Sequence, residues 1–323
     1  MPKVCVLVAV YQAETFLPQC LDSLSRQTLT DFEAICVDDG STDGSARVLD
    51  DFASRDARFK VIRLQENQGQ AHARNVALQE AHGDFVCMLD ADDWLAPDAL
   101  ALAVEAFDEE TDAVLFKVVN HDSDGREENY PMIPFQSISG EKAFQLSLSW
   151  KIHGVYMIRA DIHRRIPYDE TCRAYSDDNT TRLHYLSSRQ VRCCEGRYFY
   201  RQHPASVTHA VSVRRFDYLK ANESMRMQLL KLRPDMLGIY ENLRWLNLID
   251  VYMFYHVHGS ELSVEDRAYG LGELHRAWGG IDRSLLDKKT IAKFGYRPCK
   301  SWRMFRLQEW AYFTIRGWFG KNR

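Results

Sequence analysis

No apolar run approaches the ~18 residues of a membrane-spanning helix anywhere in this 323-residue sequence, so none is expected. Its eight cysteines form no C-x-x-C pair and most stand among apolar neighbours, the pattern of reduced thiols in a cytosolic protein. The glycine-rich phosphate fingerprints G-x-G-x-x-G and G-x-x-x-x-G-K-[ST] are both missing, which argues against a dinucleotide or P-loop site. No small-residue cleavage site follows Met1-Pro2-Lys3-Val4-Cys5, so no signal peptide is expected. There is no internal repeat and no low-complexity tract. Positive charge is scarce at the front: residues 1–112 carry 22 Asp and Glu against 8 Lys and Arg. An acidic half of this kind does not bind nucleic acid.

What is present is a regular alternation. Lys3–Tyr11 is a short apolar, β-branched run that reads as a buried strand. Glu14–Gln27 places Phe16, Leu17, Cys20, Leu21 and Leu24 on one helical face. Strands at Phe32–Val37, Phe59–Leu64, Phe85–Leu89 and Ala113–Val119 then alternate with helices at Asp43–Ser54, Ala71–Ala81 and Pro97–Phe107. The expected fold class is α/β, a mostly parallel sheet flanked by helices. From about 120 to 210 the pattern loosens, with short strand-like pieces at Val155–Ile158 and Tyr198–Gln202. From Val213 onward it is helical. This divides the chain into a domain over 1–210, with halves 1–118 and 119–210, and a helical C-terminal region over 211–323.

Ligands in such sheets bind outside the carboxyl ends of the strands, where Tyr11, Asp38-Asp39 and Asp90-Ala91-Asp92-Asp93 fall. Acceptor-only carboxylates such as Asp39 can take hydrogen bonds from a base imide or ribose hydroxyls. The carboxylates at 90, 92 and 93 repel one another unless a cation neutralises them. A hard ion such as Mn²⁺ or Mg²⁺ is the usual solution, and it would let an acidic cluster hold an anionic diphosphate. Asp93 also reads as an acid preceding the helix that starts near Pro97. Arg74, in Asn67-Gln68-Gly69-Gln70-Ala71-His72-Ala73-Arg74-Asn75, is one of the few cations in this half.

These stretches, in this order, resemble the family 2 glycosyltransferases of GT-A fold. The motifs are Val8-Ala9-Val10-Tyr11, VDDGSTD at 37–43, NQGQAHARN at 67–75, GDFVCMLDADDW at 83–94 and YRQHPASVTH at 200–209. The resemblance implies a nucleotide-sugar donor, a divalent cation and inversion at the anomeric carbon. It places Ala9, Tyr11, Asp39, Arg74 and Asp90 at the nucleotide and Asp92 on the metal. His203 is expected as a further metal ligand or as a contact to the diphosphate, and Asp178, of Asp177-Asp178, is implied as the base that takes the acceptor's proton. Arg201 is expected to neutralise phosphate, with Trp150 and His153 near the acceptor. Two departures stand in the first loop: Ala9 where the family often has Pro, and Gln12 where it often has Asn.

The expected activity is transfer from a nucleotide-diphosphate donor, a UDP-sugar, to a hydroxyl of a bacterial surface glycan or lipid-linked oligosaccharide. The alternative is a non-catalytic sugar-nucleotide-binding partner in a polysaccharide assembly complex. Residues 293–323 hold eight Lys and Arg against one Glu, with seven aromatics between Trp302 and Phe319. A basic, aromatic tail suits an anionic membrane surface, so a cytoplasmic location with peripheral contact to the inner face of the membrane is expected. At 100° per residue, however, the apolar positions of the tail spread around the helix instead of forming one stripe, so packing on the core or against a second copy stays open.

Overall fold

The computed structural model describes residues 2–171, 175, 177–202 and 211–321. The chain divides into two compact units, Met1–Glu170 with Thr180–Ser206, and Thr171–Asn179 with Val207–Arg323.

The first unit opens with β1 (Val4–Val10), α1 (Leu17–Ser25), β2 (Phe32–Asp38), α2 (Ser45–Arg55), β3 (Phe59–Arg63), α3 (Gln70–Gln79) and β4 (Phe85–Met88). A two-residue β5 (Trp94–Leu95), α4 (Ala99–Glu105) and the long β6 (Thr111–His121) follow. Next come β7 (Glu127–Asn129), β8 (Ser137–Ser139), α5 (Gly140–Ser147), β9 (Tyr156–Arg159), α6 (Ala160–Arg165), α7 (Asp177–Ser187), whose residues 177–179 are assigned to the second unit, and β10 (Gln190–Arg201). The strands form one sheet in the order β3-β2-β1-β4-β9-β6-β10-β5, with β7 on β6 and β8 on β10. From β3 to β4 every pairing is parallel. The apolar run that predicts β1 is buried along almost its whole length, because strands covered on both faces have no polar side to present. In α1, Leu17, Cys20, Leu21 and Leu24 are buried at helical spacing and Pro18 sits in the first turn. Each fully buried side chain of this size contributes roughly 1.5–3 kcal/mol.

The looser second half of this unit holds the surprises. β6 does not lie beside β4, because β9 runs antiparallel between them. β10 is far longer than its expected five residues, since register shifts break its alternation between Gln190 and Val191 and between Cys193 and Arg197. Gly196 is required there: a Cβ would sit 2.7 Å from the Ala99 carbonyl oxygen.

The seven cysteines among the described residues are free thiols, and Cys5, Cys20, Cys36 and Cys87 are buried in the parallel half. Burial pushes Cys5 and Cys36 up to about 12 and raises Cys20 and Cys87 as well.

The second unit contains α8 (Asp217–Leu232), α9 (Leu237–His258), α10 (Val264–Gly279), α11 (Lys288–Ile291) and α12 (Trp302–Trp318). Phe216, Trp245, Leu248, Tyr252, Leu274, Phe305 and Phe313 form its core. Ser263 and Ser301 cap α10 and α12 by accepting the N–H groups of Asp266 and Met304. A buried pair, Arg244 and Glu241, bonds at 2.6 Å, and Arg226 reaches the same carboxylate at 2.7 Å. No helix among the described residues is long and apolar enough to cross a membrane.

Helix α12 explains why its apolar positions spread around the wheel, for it has two apolar faces. Phe305 and Phe313 point inward with Glu309 between them, all buried. Met304, Leu307, Ile315 and Trp318 are exposed on the other side. Glu309 Oε1 accepts from the Gln308 amide at 3.0 Å, while Oε2 is buried without a hydrogen-bond partner.

Burial raises Glu309 to about 7. Between the ordinary carboxylate value and 7 the folded chain holds a proton that the unfolded chain has released. Stability is therefore lost as pH rises through that window. Glu309→Gln is expected to raise stability by on the order of 2 kcal/mol at pH 8 and by little at pH 4.5. Melting temperatures of both proteins at the two pH values check this, and an equal shift at both would contradict it.

Candidate active site

The ends of β2, β1 and β4 lie side by side, with Val10 opposite Asp38 and Leu7 opposite Met88. This brings Ala9 and Tyr11, Asp39 and the loop 90–93 to one edge of the sheet. Tyr11 is exposed and Ala9 half-buried.

Asp39 is buried, and its two oxygens accept the backbone N–H groups of Gln68 at 2.8 Å and Gly69 at 2.9 Å. Its own N–H donates to the Val10 carbonyl. Gly69, with φ of 102°, takes a conformation that side chains avoid. At Gly40, with φ of 71°, a Cβ would meet the backbone of Glu66 and Asn67 at 2.8–2.9 Å. Asp39 thus ties the β2 loop to the start of α3. Each carboxylate oxygen retains a second lone pair for a ligand.

On the next strand, Asp90 accepts from Arg74 at 2.6 Å and from the Gln70 amide at 3.1 Å. Arg74 is buried beneath the site, its guanidinium 5.3 Å from the Tyr168 ring centroid. The middle of the same helix is fixed by Asn75, which donates to the Tyr168 carbonyl and accepts its N–H.

Asp93 is not an acid at a helix start: α4 begins at Ala99 with Asp98 as its cap residue. Asp93 is buried, accepting from the Tyr198 hydroxyl at 2.7 Å and the Arg201 N–H at 2.8 Å. The same Tyr198 oxygen accepts the Asp90 N–H at 3.2 Å. Burial, and then the charges of Asp90 and Asp92, push Asp93 well above the usual carboxylate range.

Asp92 is half-buried, and its carbonyl accepts from Arg201 Nε at 2.8 Å. The Arg201 guanidinium lies over the rings of Trp94 and Phe16, 4.6 and 4.9 Å from their centroids. Arg201 is therefore a clamp on the acidic loop.

The first loop is held by a residue the sequence flagged only as a departure. Gln12, at φ of 51°, donates to Thr42 Oγ1 at 2.8 Å and accepts the N–H groups of Thr42 and Asp43. The Ser41–Asp43 stretch mainly faces this loop: Ser41 and Asp43 accept the Gln12 and Glu14 N–H groups, though Asp43 also accepts the N–H of Ser45 at the start of α2.

Asp178 belongs to the other unit, half-buried in the first turn of α7, with its N–H donating to Asp177 Oδ1 at 3.1 Å. His203 lies outside the described residues. His153 packs inside the first unit. It is buried, its Nδ1 accepts the Val155 N–H, and burial lowers it to about 4.

Among the described residues no three His, Cys, Asp or Glu side chains gather into a metal cage. The donor set fits a different mode. Asp90 is engaged by Arg74 and Gln70, and Asp92 stands half-buried on the same loop. Mg²⁺ commonly binds through one or two carboxylates completed by substrate phosphates.

A sequence model of the family described as "Glycosyl transferase family 2" matches residues 5–166. The chain is 31% identical over 220 residues to the uncharacterized glycosyltransferase EpsJ of Bacillus subtilis, covering 64% of this chain and 63% of EpsJ. It is 44% identical over 114 residues to the putative glycosyltransferase EpsH of the same organism, 35% of this chain and 33% of EpsH. It thus spans about a third of one relative and under two thirds of the other. In fold it is similar to S. aureus TarS 1–349, solved with UDP-GlcNAc, at a TM-score of 0.75 and 18% identity, covering 99% of this chain and 92% of TarS 1–349.

Tyr198→Phe removes one hydroxyl that serves two partners in the acidic loop. The unfolding free energy is expected to fall by about 2 kcal/mol, as read from urea denaturation. A loss below about 0.5 kcal/mol, typical of a surface change, would contradict the clamp.

Proposed function

We propose a reaction from one premise: the chain belongs to glycosyl transferase family 2. It moves a sugar, with inversion, from a nucleotide-diphosphate donor to a hydroxyl of a bacterial surface glycan or lipid-linked oligosaccharide. The observation that carries this reading is the set of acids at two parallel strand ends on either side of β1, Asp39 after β2 and Asp90 and Asp92 after β4, backed by buried Arg74. The TarS structure with UDP-GlcNAc supports a UDP-sugar as donor.

In this reading Asp39, already fixed by two backbone N–H groups, accepts from the base, and Asp90, oriented by Arg74, accepts from the ribose. Ala9 and Tyr11 line the nucleotide from β1. Asp92 would hold Mn²⁺ or Mg²⁺ together with the diphosphate, with His203 as a further ligand. When bound, the cation supplies Lewis-acid stabilisation of charge on the leaving nucleotide. Asp178 takes the proton from the acceptor hydroxyl as the displacement proceeds. The acceptor's lipid anchor and the basic tail support a peripheral position at an anionic membrane.

Asp178→Asn and Asp92→Ala are each expected to lower donor consumption with acceptor present by at least ~100-fold. Asp178→Asn should leave UDP binding intact, as measured by calorimetry. Near wild-type turnover in both variants would overturn the site assignment. No consumption by the wild type, with donor still bound, would favour a non-catalytic binder.

A further inference from the structure

The second unit holds a cleft of about 610 Å³ between the C-terminal end of α9, α10 and α12. Its lining includes Tyr255, His256, Arg267, Arg303, Arg306 and Trp310, and no carboxylate. None of the three arginines forms an ion pair among the described residues. Three cations gathered without a counter-charge repel one another, and an anion bound among them relieves that repulsion. The planar guanidinium fork matches phosphate oxygens in pairs, which suits a phosphate better than an isolated carboxylate or a chloride.

The cleft opens beside the outward face of α12. Leu307 belongs to both, and along that face Met304, Leu307, Ile315 and Trp318 recur at helical spacing. Leu307 and Trp318 are 66% and 79% exposed. Apolar side chains next to a basic cleft match the layering of a bilayer surface, with phosphates above and acyl chains below. Tryptophan favours that boundary.

We propose that this cleft seats the phosphate of an anionic membrane lipid while the outward face of α12 enters the headgroup–acyl boundary. The inference deepens the membrane contact of the proposed function and rests on it, but it does not depend on the transfer chemistry. A second copy of the chain is the rival occupant of the same face. Charge opposes it: nine Lys and Arg stand between Lys288 and Lys321 against the single carboxylate Glu309, which is buried. Two such faces would set cation against cation.

The test is flotation of the full-length protein with vesicles of phosphatidylcholine alone or mixed with phosphatidylglycerol. The wild type should float with the mixed vesicles only. Each arginine near an anionic surface accounts for about a fivefold change in partition, so Arg303→Gln/Arg306→Gln should weaken it about 25-fold. Arg303→Lys/Arg306→Lys, which keeps the charge but loses the paired donors of the fork, should weaken it measurably and less than the glutamine pair, and binding equal to the wild type would overturn the cleft in favour of surface charge alone. Leu307→Gln/Trp318→Gln should lose it. All four positions are exposed, and an unchanged melting temperature confirms that the fold is kept.

Equal flotation of the wild type and the glutamine pair would overturn the cleft while leaving membrane contact in place. Equal flotation of the wild type with both vesicle types would also overturn the cleft. A wild type that floats with neither would overturn both. Absence of flotation together with a dimer that Leu307→Gln/Trp318→Gln makes monomeric would assign the face to a second copy.

Discussion

The Tyr198 hydroxyl holds together a loop that its own charges would otherwise push apart. Three carboxylates within four residues repel, and the fold gives each a different fate. Asp93 is drawn inside, where the Tyr198 hydroxyl and the Arg201 N–H receive it. Asp90 is neutralised from below by Arg74. Asp92 remains at the half-buried edge, with its carbonyl held by Arg201. The strand β10 that supplies Tyr198 and Arg201 comes more than a hundred residues later. This edge of the sheet, built from residues 9–93, is therefore set only once the last strand of that unit has docked.

The parallel half was legible in the sequence because its strands are fully buried and end in charge. An apolar run bounded by carboxylates leaves few alternatives, and β1, β2, β3 and β4 form close to where the runs lie. β9, at Tyr156–Arg159, was legible within one residue at each end as the short piece Val155–Ile158, but its place between β4 and β6 was not. β10 was missed for most of its length because its bulges break the alternation on which strand reading depends. Within the site, residue types showed where acids lie but not what they touch. Asp93 and Asp92 look alike in sequence, and only the side-chain contacts with Tyr198 and the Arg201 N–H draw Asp93 into the core. Gln12 shows the reverse: its longer side chain bridges to Thr42 and Asp43, a contact that no local pattern encodes.

The second unit was read as helical on periodicity alone, and its helices form as expected. Its surface character was not legible, because a wheel of α12 superimposes two apolar faces and averages them away. Only the position of the core at Phe305 and Phe313 distinguishes the residues that hold the helix in place from those that look outward. Glu309, lodged on the inward face, places a carboxylate among aromatic rings.

The buried thiols give the molecule an internal clock. A thiol-alkylating reagent reacts with thiolate, and Cys36 and Cys87 are both sealed in the parallel sheet and hard to ionise. Their labelling must wait for the strands to part, so its rate counts openings of the parallel sheet. The half-buried Cys193 and Cys194 in the same unit, and Cys299 in the other, keep separate time.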